Sequence, residues 1–184
     1  MAEKRGPWQF IKRDEKYINP WIRVYEDEVV TPSGKPGIYG VVESDPGVFV
    51  LPIDPEGNIY LIKEYKYIVG KVSLEVVSGA KEKTETFKEA AERELAEELG
   101  IKAKKLLTIG INDPLTGIVN IPAQLFLATD LEFGAQSLED TEKIELVKMT
   151  LDEAVEKIIK NEITDGLSCV IILKTSEMRR RKLI

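Results

Sequence analysis

The sequence predicts an α+β fold in two parts, a small N-terminal antiparallel β lobe over residues 1–44 and a larger mixed domain over residues 45–184. Three observations lead there. Short β-branched and aromatic runs separated by turn-forming clusters fill the first third, the apolar period becomes helical at Phe87, and two further helical segments close the chain. At roughly 150 residues per domain, the 184 residues suffice for one core-forming domain with a small extra lobe.

Residues 1–19 mix Trp8, Phe10, Ile11, Tyr17 and Ile18 with charges in no clean period, which predicts an irregular or short-stranded arm. Trp21-Ile22-Arg23-Val24-Tyr25 and Val29-Val30 flank Glu26-Asp27-Glu28, and the turn formers Thr31-Pro32-Ser33-Gly34-Lys35-Pro36-Gly37 precede Ile38-Tyr39-Gly40-Val41-Val42. A small antiparallel sheet follows from that pattern. Ser44-Asp45-Pro46-Gly47 marks the boundary of the second lobe, and Asp54-Pro55-Glu56-Gly57-Asn58 separates the next two strands. Residues 71–77 read as one more strand, ending at Ser78-Gly79. Phe87, Ala91, Leu95 and Leu99 then recur at i, i+4 spacing, with Thr86 and Glu89 spaced as a capping box and Gly100 as the stop. Strands are expected at 106–111, 123–129 and 144–149, a second helix at 151–160 behind the capping box Thr150/Glu153, and a third across 166–182.

The composition narrows the chemistry. There is no His at all, which excludes Ser-His-Asp and Cys-His nucleophile systems, an imidazole base, and His-bearing zinc sites. Acid-base work must come from carboxylates, Lys, Tyr or a bound metal. With 26 Lys+Arg against 32 Asp+Glu the net charge is −6, steady across neutral pH. The single Cys169 lies in an apolar run and reads as a buried structural thiol, in keeping with a reducing, cytoplasmic setting. No apolar stretch approaches the roughly 20 residues that span a bilayer, and no signal-like block follows Met1, so no membrane partner is expected. The charged fraction of 32%, rich in Glu and Lys, leans toward a heat-adapted source.

On the first helix Glu94, Glu97 and Glu98 fall within an arc of roughly 100°. Two such charges about 6 Å apart repel by ~3 kcal/mol at an effective dielectric of ~20, more than the helix propensity of Glu offsets. A solvated acidic face relieved by i, i+4 lysines is the plain alternative, but only Glu98 meets one, Lys102. The face borders the apolar stripe through Ala91 and Leu95, so a pocket holding a hard divalent cation, Mg²⁺ or Mn²⁺, suits the position.

Gly79, Glu85, Arg93, Glu94, Leu95, Glu97, Glu98, Gly100 and Ile101 match the pattern G-x5-E-x7-R-E-U-x-E-E-x-G-U at every defined position, with U aliphatic. Seven fixed identities at about 7% usage each coincide by chance on the order of once in 10⁸ starting positions. The segment resembles the Nudix box, and the strand order around it resembles that family's α/β/α sandwich. The resemblance implies hydrolysis of a nucleoside diphosphate linked to another moiety. It also implies that Glu94, Glu97 and Glu98, with the carbonyl of Ser78, ligate the metal, while Arg93 orients the carboxylates by charge-assisted hydrogen bonds and Glu85 steadies the loop and helix start.

Features outside the box resemble the ADP-ribose pyrophosphatase branch. Its N-terminal lobe exchanges between the subunits of a dimer and helps to bind substrate, so a homodimer through residues 1–44 is implied. Lys63-Glu64-Tyr65-Lys66 resembles the branch's Arg-Gln-Tyr-Arg segment with lysines for both arginines, and a lysine cannot reproduce the arginine fork. Leu74-Glu75-Val76-Val77-Ser78-Gly79 stands where the branch reads Glu-aliphatic-Pro-Ala-Gly, and Asp113-Pro114 sits near its marker proline. Lys63, Tyr65, Lys66 and Arg23 are thereby expected to bind substrate. The expected catalytic set is Glu97, Arg93 and Glu142, the last from a late acidic loop in which Glu139 and Asp140 stand behind it. The substrate is expected to be ADP-ribose or a related nucleotide sugar. A nucleotide-sensing module without hydrolysis is the alternative of another class, and a dinucleoside polyphosphate or RNA cap hydrolase is a third reading.

Trp8, Tyr17, Trp21 and Tyr65 read as packing an interface or small core before they read as purine-stacking groups. Arg179-Arg180-Arg181-Lys182 complements a helix C-terminus, and in an acidic chain a nucleic-acid partner is not expected.

Overall fold

The structure, a computed structural model, describes residues 3–138 and 143–184. The elements in chain order are β1 (Glu3–Arg5), β2 (Trp8–Ile18), β3 (Ile22–Val30), β4 (Pro36–Ser44), β5 (Gly47–Pro52), β6 (Asn58–Lys66), β7 (Lys71–Glu75), β8 (Val77–Ala80), α1 (Phe87–Leu99), β9 (Ile101–Asn112), β10 (Val119–Asn120), β11 (Ala123–Phe133), β12 (Glu145–Thr150), α2 (Leu151–Ile159) and α3 (Gly166–Arg180). They form two compact units, Met1–Asp45 with Asp113–Pro122, and Pro46–Asn112 with Ala123–Ile184. The segment 113–122 thus groups with the N-terminal residues although it lies within the later part of the sequence.

The first unit is a five-stranded sheet in the order β1-β2-β3-β4-β10, antiparallel except for the short parallel pairing of β10 with β4. The arm expected to be irregular is an eleven-residue strand. Its pairing with β3 shifts register between Phe10 and Lys12 and again between Glu15 and Tyr17, and each shift resets the alternation of faces. That explains the missing period. Glu26-Asp27-Glu28 likewise continues β3 without a break, because Arg13 meets Asp27 from the neighbouring strand, Nε to Oδ1 at 2.7 Å. The pair lets Asp27 be buried, at 3% exposure, without an uncompensated charge.

The second unit places a four-stranded sheet, β8-β5-β11-β9, and a three-stranded sheet, β12-β6-β7, between helices, an α/β/α sandwich. Strand alternation divides the core in two. Val48, Val50, Ile62, Val77 and Phe126 face Ala90, Ala91, Leu95 and Leu99 of α1, whereas Leu51, Ile59, Leu61, Leu125 and Leu127 face Leu151 and Ala154 of α2 and Ile171 and Ile172 of α3. A fully buried Leu, Ile or Val contributes about 2 kcal/mol, so packing, more than intrinsic propensity, holds the thirteen-residue α1 in place.

The expected single strand at 71–77 is two, broken at Val76. The amide of Val76 donates to the hydroxyl of Ser168 on α3 at 3.0 Å instead of to a strand partner. At the β5–β6 turn, Gly57 adopts φ 88° and Asp54 accepts hydrogen bonds from the amide of Asn58 at 2.7 Å and the hydroxyl of Tyr60 at 3.0 Å. Strand β9 begins at Ile101 and β11 runs to Phe133, both longer than expected, because they pair with each other from end to end with one bulge. The capped helices stand where expected. Both capping boxes, Thr86/Glu89 and Thr150/Glu153, close in both directions. Among the described residues, no helix is long and apolar enough to cross a membrane.

Candidate active site

The site begins where β8 turns toward α1. Gly79 pairs with Val48 on the face that looks at α1, and a Cβ built on it would fall onto the carboxylate of Glu94. Only glycine permits that approach. The connecting loop is tied down by Lys81, whose ammonium donates to the carbonyls of Glu82 and Glu85 at 2.7 and 2.8 Å. Thr86 then caps the helix, and Glu89 returns the bond to the amide of Thr86 at 2.7 Å, which holds its carboxyl below the usual range.

Arg93 organises the carboxylates. Its guanidinium donates to both oxygens of Glu85, from Nε at 3.2 Å and Nη2 at 2.8 Å, to Oε1 of Glu94 at 2.7 Å, to Oε2 of Glu97 at 3.1 Å, and to the carbonyl of Ala80 at 3.0 Å. Such forked, charge-assisted contacts fix direction as well as distance. The hydrogen bonds from Arg93 hold the Glu85 carboxyl below the usual range. Glu94 and Glu98 are buried at 9% and 5% exposure, while the Glu97 side chain is more open.

Among the described residues, no group of three or more carboxylates or thiols converges in metal-holding geometry. Two of the three helix carboxylates are turned toward Arg93 instead. The donor set still fits a hard divalent cation: it is all oxygen, it lies on one helix face at the rim of the core, and the absence of a Cβ at Gly79 lets the Glu94 carboxylate sit against the β8 backbone.

The C-terminal end of α1 is strapped. Gly100 adopts φ 63°, and its carbonyl accepts from the amide of Gly134 at 2.7 Å. The amide of Ser137 donates to the carbonyl of Glu97 at 3.0 Å, and the side-chain amide of Gln136 donates to the carbonyl of Glu98 at 2.5 Å. These contacts satisfy helix carbonyls that otherwise lack partners. They also lead the chain toward the acidic segment in which Glu142, Glu139 and Asp140 were expected to supply a base; those three residues lie outside the described residues.

The expected substrate-binding residues of β6 divide between two faces. Tyr60 and Ile62 belong to the α1-side core and Ile59 and Leu61 to the other, so Glu64 and Lys66 continue the α1 side while Lys63 and Tyr65 continue the opposite one. Lys63 pairs with Glu145 at 3.0 Å beside an exposed Tyr65. The Lys66 ammonium meets Glu64 at 2.5 Å and Glu75 at 3.5 Å. Burial lowers its affinity for the proton, but Glu64, Glu75 and Glu98 together hold it above the ordinary lysine value. Glu75 lay within the segment matched to Glu-aliphatic-Pro-Ala-Gly but was given no role, and Glu64 and Gln136 were not singled out; the alternation of β6 carried the signal for Glu64, whereas the contacts of Glu75 and Gln136 depend on tertiary pairing.

In the first unit, Arg23 pairs with Asp45 at 3.3 Å. A hollow of about 440 Å³ opens on the sheet face that carries Arg5, Phe10, Arg13, Tyr39 and Glu43, with Trp8 edge-on to Tyr39 at 5.6 Å. Arg5 lies over the ring of Phe10 and Arg13 over that of Tyr25, so these aromatics are packed by cations and by each other. Cys169 is half-buried in α3, with its thiol raised by burial.

The sandwich and the glutamate face of α1 define a hydrolase of the Nudix type: the NUDIX domain matches residues 43–165, and the chain belongs to that family. Residues 8–42 match the nucleoside diphosphate sugar hydrolase N-terminal domain. The chain is similar to ADP-ribose pyrophosphatase of Bacillus subtilis (strain 168), 28% identical over 164 residues that cover 88% of this chain and 89% of that one. It is also similar to the methanol dehydrogenase activator of Bacillus methanolicus, 26% identical over 164 residues with the same coverage. A crystal structure of an ADP compounds hydrolase superposes with a TM-score of 0.85 at 17% identity, covering 98% of each chain, a likeness of fold. Enzymes of the Nudix family generally use divalent metal ions.

Proposed function

We propose that this chain hydrolyses the pyrophosphate linkage of ADP-ribose or a related nucleoside diphosphate sugar, giving a nucleoside monophosphate and a sugar phosphate. The observation that carries the reading is the Arg93 fork, which ties Glu94 and Glu97 of the α1 face to Glu85 of the preceding loop, beside a glycine whose missing side chain makes room for the Glu94 carboxylate. A match of residues 8–42 to the N-terminal domain of nucleoside diphosphate sugar hydrolases supports the substrate class, as does the similarity to ADP-ribose pyrophosphatases.

Glu94, Glu97 and Glu98, with the Ser78 carbonyl, would hold Mg²⁺ or Mn²⁺. When bound there, such an ion supplies charge neutralisation of the diphosphate and acidification of a water. Arg93 keeps the carboxylates in register without having to touch substrate, and Glu85 fixes Arg93 from the loop side. Glu97, the most open of the three, would take up a proton at its carboxylate. Lys66, on the α1 face, meets the anionic diphosphate, while Lys63 and Tyr65 lie on the other side of β6, where they suit the sugar or base end less well. In the reaction, water adds to one phosphorus, the bond from that phosphorus to the bridging oxygen breaks, and the displaced phosphate leaves as the sugar phosphate or the monophosphate. A cytoplasmic homodimer assembled through the N-terminal lobe, with Arg23 near the substrate, completes the proposal.

The test is incubation with ADP-ribose and a panel of nucleoside diphosphate sugars, with and without Mg²⁺, and separation of products by ion-exchange chromatography. Metal-dependent release of a nucleoside monophosphate is expected. No release from any member of the panel would overturn the assignment.

A further inference from the structure

Lys66 is held from two directions. Glu64, two residues earlier on β6, reaches its ammonium at 2.5 Å, and Glu75 reaches it from β7 at 3.5 Å. The β6–β7 register places Glu75 opposite Ile62 and Ser73 opposite Glu64, so both acids share the α1-facing side with Lys66. The two carboxylates are largely buried, with side chains 18% and 13% exposed, and the charge of Glu98 on α1 acts on the same ammonium. By contrast, Lys63 has an exposed partner and an exposed position.

One carboxylate is enough to neutralise an ammonium. A second, brought from another strand and largely removed from water, incurs desolvation that the pairing must offset, and what it gains is a fixed position. A free lysine side chain carries about 2 kcal/mol of rotamer entropy. Clamping it in advance removes that loss from the binding step, the general benefit of preorganisation. We propose that Glu75 is a positioning residue: with Glu64 it fixes the Lys66 ammonium on the α1-facing side of β6 and β7, and so sets where the diphosphate of the substrate meets the glutamate face of α1. The inference rests on the hydrolase reading above for its substrate.

The experiment is steady-state kinetics on ADP-ribose, together with calorimetric binding of inorganic pyrophosphate in Mg²⁺, for wild type, Glu75→Gln, Glu75→Asp, Lys66→Met and the double variant Glu75→Gln/Lys66→Met. Glu75→Gln is expected to raise KM at least fivefold and weaken pyrophosphate binding by a similar factor, with kcat reduced no more than about threefold; Glu75→Asp restores most of the loss. In the Lys66→Met background the Glu75 change is expected to add nothing, since its effect passes through the lysine. A purely structural role would lower Tm and leave that coupling absent. Unchanged KM and pyrophosphate affinity in Glu75→Gln, or fully additive effects in the double variant, would overturn the positioning role while hydrolysis by wild type upheld the reaction. Should no nucleotide sugar be cleaved, a coupled loss of pyrophosphate binding would uphold the positioning role and overturn the reaction. If Glu75→Gln does not fold, Glu64→Gln carries the same expectation and the same cycle with Lys66.

Discussion

Arg93 grips Glu85 across the helix start with two arms of its guanidinium, at 3.2 and 2.8 Å, and reaches Glu94 and Glu97 with the third. The loop before α1 and the carboxylates on it are thereby oriented by one planar group.

Replacing Arg93 by Lys keeps the charge but removes the fork, since an ammonium cannot span Glu85 and Glu94 together. A fall in kcat/KM of about tenfold or more is expected, with the helix content of the circular dichroism spectrum retained. Wild-type turnover in Arg93→Lys would show that direction matters less than charge here.

Removal of a single carboxylate charge gives a sharper test. Glu98→Gln is isosteric and buried, and loss of one proposed metal-holding group is expected to lower kcat a hundredfold or more. The companion measurement is Mn²⁺ binding by electron paramagnetic resonance, expected to weaken in parallel. Near-normal kcat would remove Glu98 from the site.

Gly79→Ala introduces a Cβ onto the Glu94 carboxylate. Overpacking of this kind costs about 1–3 kcal/mol, and here the strain falls on a side chain proposed to hold the metal. Activity should drop further than the fall in Tm would account for, as measured by assays well below the melting range.

Acid sensitivity has an address at Asp54. Burial pushes its carboxyl up, but hydrogen bonds from Asn58 and Tyr60 and the Lys148 ammonium outweigh it and hold the carboxyl at about 2. A depressed carboxyl stabilises the folded state fully above its unfolded value, near 3.8, and loses that contribution as pH falls toward 2. The Tm difference between wild type and Asp54→Ala is therefore expected to be constant from pH 7 down to about 5 and to narrow below 4. A difference that widened on acidification would contradict the sign.

Thr86→Ala removes one half of a closed capping box and should cost about 1 kcal/mol, or roughly 2–4 °C in Tm for a chain of this size. Calorimetric scans of the two proteins would show it.

What the sequence made legible is local in nature. The capping boxes, Gly100 at the helix stop and the spacing of Glu94, Glu97 and Glu98 depend on residues within a few turns of one another, so their geometry follows from periodicity. The misjudged parts depend on distant partners. β2 lost its alternation to two register shifts against β3, and the strand at 71–77 breaks because Val76 finds Ser168 from the far end of the chain. Lys63 and Lys66 read as one binding segment, yet a strand sends residues three apart to opposite faces, and only the two cores reveal which face belongs to α1. Glu75 stood in the segment matched to Glu-aliphatic-Pro-Ala-Gly, but that match says nothing of its pairing with Lys66, and Gln136 carries no motif at all, since each matters through a neighbour supplied by another element.

The strap at the end of α1 has a bearing on local opening. Because the amides of Gly134 and Ser137 are bonded to carbonyls of Gly100 and Glu97, they can exchange hydrogen with solvent only when the helix end lets go of them. Residues 134–137 and the last turn of α1 are therefore expected to exchange together, and a cation held by Glu97 and Glu98 would slow deuterium uptake in this segment as well.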